Sequence, residues 1–417
     1  MAATNHAWYG LALLCATVLL AGCASLGPEL PLPAADEFEP QSFTFGVRTL
    51  NSNGEFELLS STELARRLQG ALGERPLTIL ALSSGGASGA FGAGALAGST
   101  SRGTRPDFTV VTGVSVGALV APFAFLGPAR DEQMTELFTA GATDGLLQPR
   151  GLAAVFGSSI YSAEPLRRLI ERYTDDAMIA DLAREAAKGR VLLVATTDFA
   201  SGEPVIWDLG SIALHGGRDA KPLIQAVLLA SASVPGMLPP AVVKVRIRGR
   251  TREETHVDGG VALPFFIAPA PEDLPRPTGV STQSTAVRVL IDGPLRNLPR
   301  PTHANAFSVF TRSLSAGLSH MTRTKLQSTL DATRERGISL DYAAIPASYP
   351  LKGAFDFSPQ AQRALFNYAA NCAQQGRLWI AVHEERAAEV EERLPASGGP
   401  TCPADDTFIG HLAALNH

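Results

Sequence analysis

Between Val110 and Phe123 the chain reads VVTGVSVGALVAPF, an apolar run that carries one hydroxyl, Ser115, flanked by Gly113 and Gly117. G-x-S-x-G where a strand gives way to a helix is the context of a nucleophile elbow. The turn is so sharp that neighbouring side chains would clash, which accounts for glycine on both sides. The hydroxyl is thrust out of the sheet, and the helix N-terminus behind it favours developing negative charge. A serine so placed is a candidate nucleophile for acyl transfer, the plain alternative being a glycine-rich turn with an incidental serine. The stretch FTVVTGVSVGALVAPFAFLG also has about the length of a membrane span. Against that reading, β-branched residues crowd its first part, glycines and Pro122 punctuate it, and the neighbouring segments alternate as strands and helices.

Acyl transfer needs backbone N–H groups that stabilise an oxyanion, with no side chains in the way. The stretch SSGGASGAFGAG supplies Gly85, Gly86 and Gly89 at a strand-to-helix turn one βα unit before the serine. In a parallel sheet both turns fall at the carboxyl edge and can face each other. A Walker phosphate loop would end in G-K-[ST], where this chain has Gly89-Ala90. A dinucleotide G-x-G-x-x-G is not matched, because Ser84 stands at its first glycine. A base must also accept the serine proton. Histidine is the default, in the order Ser, Asp, His, and His215, His256, His303, His320 and His383 follow Ser115, none in a distinctive setting. Asp258 in THVDGGVALPFF is differently placed, at the end of an expected strand, before Gly259 and Gly260.

LSSGGASG, then GVSVG, then DGG, in this order, resembles the patatin-like phospholipase family. The resemblance implies a three-layer α/β fold with a central, mostly parallel sheet flanked by helices. It implies a Ser-Asp dyad without histidine, in which Ser115 is the nucleophile and Asp258 the base. The amides around Gly85, Gly86 and Ala87 would form the oxyanion hole. ASASVPGMLPP, from Ala230 to Pro240, is similar to the family's segment between serine and aspartate. The likeness covers roughly Leu77 to Pro264 well and the C-terminal third more loosely. It departs in the oxyanion loop, where Ser84 replaces the first glycine and Ser88 a frequent arginine. The expected reaction is hydrolysis of a lipid acyl ester through an acyl-serine, with neither metal nor organic cofactor. The alternatives are a Ser-His-Asp esterase and a catalytically silent envelope lipoprotein.

The elements that must position these residues are legible by their periods. PLTILALSSGG and DFTVVTG read as buried strands, and ASGAFGAGALAGST and VGALVAPFAFL as the helices that follow them. Strand, helix, strand, helix in so short a compass implies a parallel sheet with right-handed crossovers. Further on, AEPLRRLIERYT reads as an amphipathic helix, and RVLLVATTDF and PVIWDL as strands. KPLIQAVLLASASV reads as a helix stopped by Pro235. AVVKVRIRG with RTREETHVDGG forms a hairpin or strand pair, and AVRVLIDG another strand. The C-terminal third, with SPQAQRALFNYAANCA and EERAAEVEERL, is expected to be mainly helical.

Of 417 residues, 45% are hydrophobic and 18% charged, enough for a large core. The net charge of -5, without a clustered basic run, argues against nucleic acid as a partner. LALLCATVLLAGC is too short an apolar run to span a bilayer and ends like a bacterial lipobox, though MAATNHAWYG carries no Lys or Arg. We therefore expect a signal peptide over 1–22, lipidation of Cys23, a proline-rich tether over 23–42 and a hydrolase body over 43–417. Ala24 after the cysteine favours the outer membrane. The expected partners are membrane lipid, as anchor site and as acyl-ester substrate. With Cys15 removed and Cys23 lipidated, Cys372 and Cys402 remain as a pair for a disulfide in an oxidising periplasm.

Overall fold

β-Branched and leucine-rich runs of five or six residues are too short for buried helices and the right length for strands covered on both faces. In the computed structural model, which describes residues 46–72, 75–151, 157–274, 285–296, 304–381 and 400–405, such runs build one eleven-stranded sheet. Cys23, His303, His383 and EERAAEVEERL lie outside the described residues.

In chain order, β1 (Val47–Leu50) and β2 (Phe56–Leu59) form a hairpin, followed by α1 (Ser61–Leu72). Two βα units come next: β3 (Leu77–Leu82) with α2 (Gly89–Arg102), and β4 (Val110–Val114) with α3 (Val116–Leu126). Helices α4 (Asp131–Thr139), α5 (Glu164–Tyr173) and α6 (Asp176–Ala186) lead to β5 (Val191–Asp198) and β6 (Pro204–Asp208). Then come α7 (Leu209–His215), α8 (Ala220–Ser231) and the hairpin of β7 (Ala241–Ile247) with β8 (Arg250–Asp258). The last part holds β9 (Thr285–Ile291), α9 (Ala306–Arg336), β10 (Ser339–Ala344), α10 (Pro359–Gln374) and β11 (Ile380–Ala381).

The sheet runs β11-β10-β9-β3-β4-β5-β6-β1-β2, and its centre, from β10 to β5, is parallel. Side chains alternate across it as a period of two requires. Ile79 and Ala81 of β3 face one core with Leu68 of α1 and Leu326 and Leu330 of α9. Leu80 and Leu82 face the other, with α2, α3 and α8. The fold is thus three layers, α/β/α, with a mostly parallel sheet. The stretch long enough for a membrane span resolves into β4 and α3, and among the described residues no helix is long and apolar enough to cross a bilayer.

Two departures from the sequence reading have plain causes. The first hairpin and β10 are short, and Ser339–Ala344 alternates polar with apolar too briefly to stand out beside a 31-residue helix, so the C-terminal third is less purely helical than expected. Helix α8 ends at Ser231, ahead of Pro235, because residues before a proline are pushed out of the helical region. The very small residues of α2 are a packing device. A Cβ on Gly94 would lie 2.2 Å from the Phe366 carbonyl and one on Gly98 2.3 Å from that of Ala370, so α2 and α10 pack backbone against backbone. Farther along α10, Cys372 is disulfide-bonded to Cys402, with Cα atoms 5.6 Å apart.

Candidate active site

β4 ends at Val114, opposite Ala195 of β5. β6 occupies the other edge of β5, so β8 takes up the edge that β4 vacates, with Asp258 opposite Thr196. Consecutive registers on one strand therefore deliver the residue after Val114 and the last residue of β8 to the same point. Ser115 sits at φ 55° and ψ −122°, a backbone conformation that a side-chain-bearing residue enters only under constraint. The constraint is steric and hydrogen-bonded. A Cβ on Gly113 would lie 2.6 Å from the Gly117 carbonyl, and one on Gly117 2.6 Å from those of Leu82 and Ser83. The Ser115 amide donates to Ser231 Oγ (3.0 Å), which donates in turn to the Ala195 carbonyl (2.7 Å).

The Ser115 hydroxyl donates to Asp258 Oδ2 at 2.6 Å, and both side chains are buried. Asp258 is held from several sides. Its Oδ1 accepts from the Gly260 amide (2.7 Å), its carbonyl from Thr197 Oγ1 (2.9 Å), and its own amide donates to the Ser233 carbonyl (2.9 Å). Gly259 is required because a Cβ there would stand 2.3 Å from the Ala195 carbonyl. Burial pushes the Asp258 carboxyl up to about 7, against the bonds from Ser115 and Gly260, which pull the other way. The pair is thus a hydroxyl that donates to a carboxyl in a desolvated site, the carboxyl titrating near neutral pH.

The turn after β3 faces this pair. Gly85 and Gly86 line a cavity of about 390 Å³ together with Ser115, Asp258 and Gly260. Among the described residues no carbonyl accepts from the Gly85 or Gly86 amide. Gly86 has φ +59°, which turns the chain into α2. At Gly89 a Cβ would lie 2.1 Å from Val116, so glycine lets the start of α2 close on the elbow. Ala87 corrects the expectation: its amide donates to the Ala354 carbonyl at 2.7 Å, which removes it from the set of oxyanion donors. Ser84 replaces the family's glycine without breaking the turn, its amide donating to the Pro264 carbonyl (2.9 Å). The remaining cavity wall exposes mostly apolar surface, from Leu314, Leu318 and Met321 of α9 and from Val234, Ile291 and Leu351, with α9 hydroxyls such as Ser315 and Ser319 among them.

The histidines within the described residues stand elsewhere. His256 is fully buried on β8, its Nδ1 3.1 Å from Thr196 Oγ1 and its Nε2 3.1 Å from Glu254 Oε2. His215 ends α7, and His320 lies on α9, hydrogen-bonded to Arg323. None of the three is bonded to Ser115. Sequence reasoning passed over Ser231 and Asp292. Ser231 had no signal beyond its place in ASASV. Asp292 had one, since LIDG ends a strand at the carboxyl edge much as HVDGG does.

Residues 80–270 match the family model described as patatin-like phospholipase. No curated protein matches the chain. Among solved structures, the crystal structure of VipD from Legionella pneumophila aligns at 13% identity over 84% of this chain and 73% of that one, with a TM-score of 0.32, too distant a likeness to carry residues across. Over residues 80–270, then, this chain is similar to patatin-like phospholipases, a likeness that supports the class of lipid acyl hydrolases.

Proposed function

We propose that the protein hydrolyses acyl esters of lipids with Ser115 as nucleophile and Asp258 as its only base. The observation that carries this reading is the 2.6 Å bond between the two side chains at an elbow whose serine has φ 55°. In the first step the Ser115 proton passes to Asp258 Oδ2 as Oγ bonds to the ester carbonyl carbon. The carbonyl electrons move onto oxygen, facing the Gly85 and Gly86 amides and the N-terminus of α3. Collapse re-forms the carbonyl, breaks the ester C–O bond and sends the proton from Asp258 to the leaving alkoxide. Water then attacks the acyl-serine, giving its proton to Asp258, and the fatty acid leaves with Ser115 reprotonated. The apolar wall contributed by α9 suits an acyl chain.

The test is labelling with a fluorophosphonate and sequencing of the modified peptide. The label should fall on Ser115 and be lost in Ser115→Ala. A label elsewhere, or hydrolysis by the alanine variant at the wild-type rate, rejects the reading.

The chain's cellular place belongs to the same proposal. Lipidation of Cys23 would anchor the hydrolase to the bacterial outer membrane and bring its substrate to it. The support is LAGC at the end of a short apolar run. Mass spectrometry of the N-terminal peptide from membranes decides it, and an unmodified Cys23 rejects the anchor.

A further inference from the structure

Asp292 directly follows β9 and is 1% exposed, yet the chemistry proposed above makes no use of it. It touches the oxyanion turn at three places. Its amide donates to Ser83 Oγ (2.9 Å), where the turn begins. Its carbonyl oxygen and Cβ fill the space beside Gly85, 2.0 and 2.5 Å from where a Cβ of residue 85 would stand. Its Oδ1 accepts the amide of Gly92 in α2 at 2.8 Å, where the turn has become helix. Glycine at 85 and 92 is what admits this residue, since a Cβ on Gly92 would lie 2.9 Å from Oδ1.

A buried carboxyl is a poor choice for packing alone. Among the described residues Asp292 Oδ2 has no hydrogen-bond partner, and burial drives the carboxyl well above its ordinary range, against the bond from Gly92. An apolar residue would fill the same space without leaving a buried polar atom unpaired. What the carboxyl adds is an acceptor that reaches α2 while its own backbone stays against Gly85.

We propose that Asp292 is a positioning residue for the oxyanion turn, holding the Gly85 and Gly86 amides toward Ser115 by gripping the turn at Ser83, Gly85 and Gly92. The proposal rests on the reading of Ser115 as the nucleophile. Those amides meet charge that develops only in the transition state, so a loosened grip lowers kcat and leaves KM nearly unchanged.

The experiment uses the full chain, a short p-nitrophenyl ester and a fluorophosphonate, with Ser115→Ala alongside. Asp292→Ala should lower kcat by roughly 10- to 100-fold, the scale of weakening one oxyanion donor, with KM within about twofold. Fluorophosphonate inactivation should slow by the same factor, because the phosphonyl oxygen uses the same amides. Asp292→Asn should recover most of the rate, since a neutral carboxamide also accepts from Gly92. If Asp292→Ala does not fold, Asp292→Ser, too short to reach Gly92, takes its place. A folded Ala or Ser variant with wild-type kcat overturns the proposal. So does an Asn variant as slow as the Ala variant, or a loss that follows melting temperature and raises KM with it. Wild-type turnover by Ser115→Ala would instead defeat the underlying nucleophile assignment, and the proposal with it.

Discussion

Five residues, Gly113 to Gly117, contain most of what the elbow requires: two glycines where a Cβ would strike carbonyls 2.6 Å away, and a serine forced to φ 55° between them. The turn from Ser83 to Ser88 is built differently. Its glycines only permit its shape, and what holds it comes from far along the chain. Asp292 grips it from β9, the Ala354 carbonyl takes the Ala87 amide, and Gln362 Nε2 on α10 donates to the Ala87 carbonyl at 2.7 Å. Under the proposed chemistry the nucleophile is positioned mainly by sterics, with one long-range bond to Ser231, and the amides facing it mainly by long-range contacts. Damage should therefore look different at the two turns, abrupt at the elbow and graded at the oxyanion turn.

The largest effect is expected at the elbow. Ser115→Ala should lower turnover by on the order of 10³ to 10⁶ without unfolding the protein, as read by hydrolysis of a short p-nitrophenyl ester and by circular dichroism. Asp258→Asn should be nearly as inactive, because a carboxamide cannot accept the proton, whereas His256→Gln should keep the chemical step. A dead His256→Gln beside an active Asp258→Asn would reinstate a histidine base.

The same carboxyl sets the acid limb. With Asp258 raised to about 7, the base form is lost as pH falls, so kcat/KM should drop tenfold for each pH unit well below that value. A carboxylate near its unperturbed value, about 4, would keep activity to much lower pH, and a profile flat down to pH 5 would contradict the buried base. Stability should run the opposite way. A folded-state value above the unfolded one means that the native state binds the proton more tightly, a contribution full below about pH 4 and lost as pH rises toward 7. Asp258→Asn, which cannot ionise, should therefore melt above the wild type at pH 8, with the gap closing at pH 4.

At the oxyanion turn the effect should be smaller. Gln362→Leu keeps the bulk of a residue that is 1% exposed but removes the donor to Ala87. We expect kcat to fall by roughly tenfold with KM unchanged, less than a full oxyanion donor contributes because Asp292 and Ala354 remain. An equal rise in KM would show that Gln362 shapes the substrate cavity instead. Reduction of Cys372–Cys402 should be felt least in catalysis. It releases a crosslink across a sequence separation of 30 residues, worth about 3 to 4 kcal/mol in the chain-entropy model, and should lower the melting temperature while leaving the pH profile in place.

What could be read beforehand follows the same division. The elbow, the DGG aspartate and the glycines of the turn are written in short stretches because each is a steric demand on its own residue type. Strands β3, β4, β5 and β9 were legible because burial on both faces leaves them almost wholly apolar. The partners of the turn were not. Ala354 contributes only a carbonyl, for which any residue type would serve, and Gln362 reads as one more polar position on an amphipathic helix. The excess of Ala87 in the expected oxyanion set has the same origin, since no local pattern reveals that a carbonyl 267 residues further on takes its amide.

The close seat of α10 on α2 also orders events in time. Synthesis runs from the N-terminus, so Ser115 and Asp258 leave the ribosome well before Ala354 and Gln362, and the last supports of the oxyanion turn arrive only when α10 docks along Gly94 and Gly98. On the proposed reading, a chain folded without α10 would bring Ser115 to Asp258 while lacking the Gln362 support of the oxyanion turn. Under the proposed chemistry, hydrolytic power would then come only once α10 has docked.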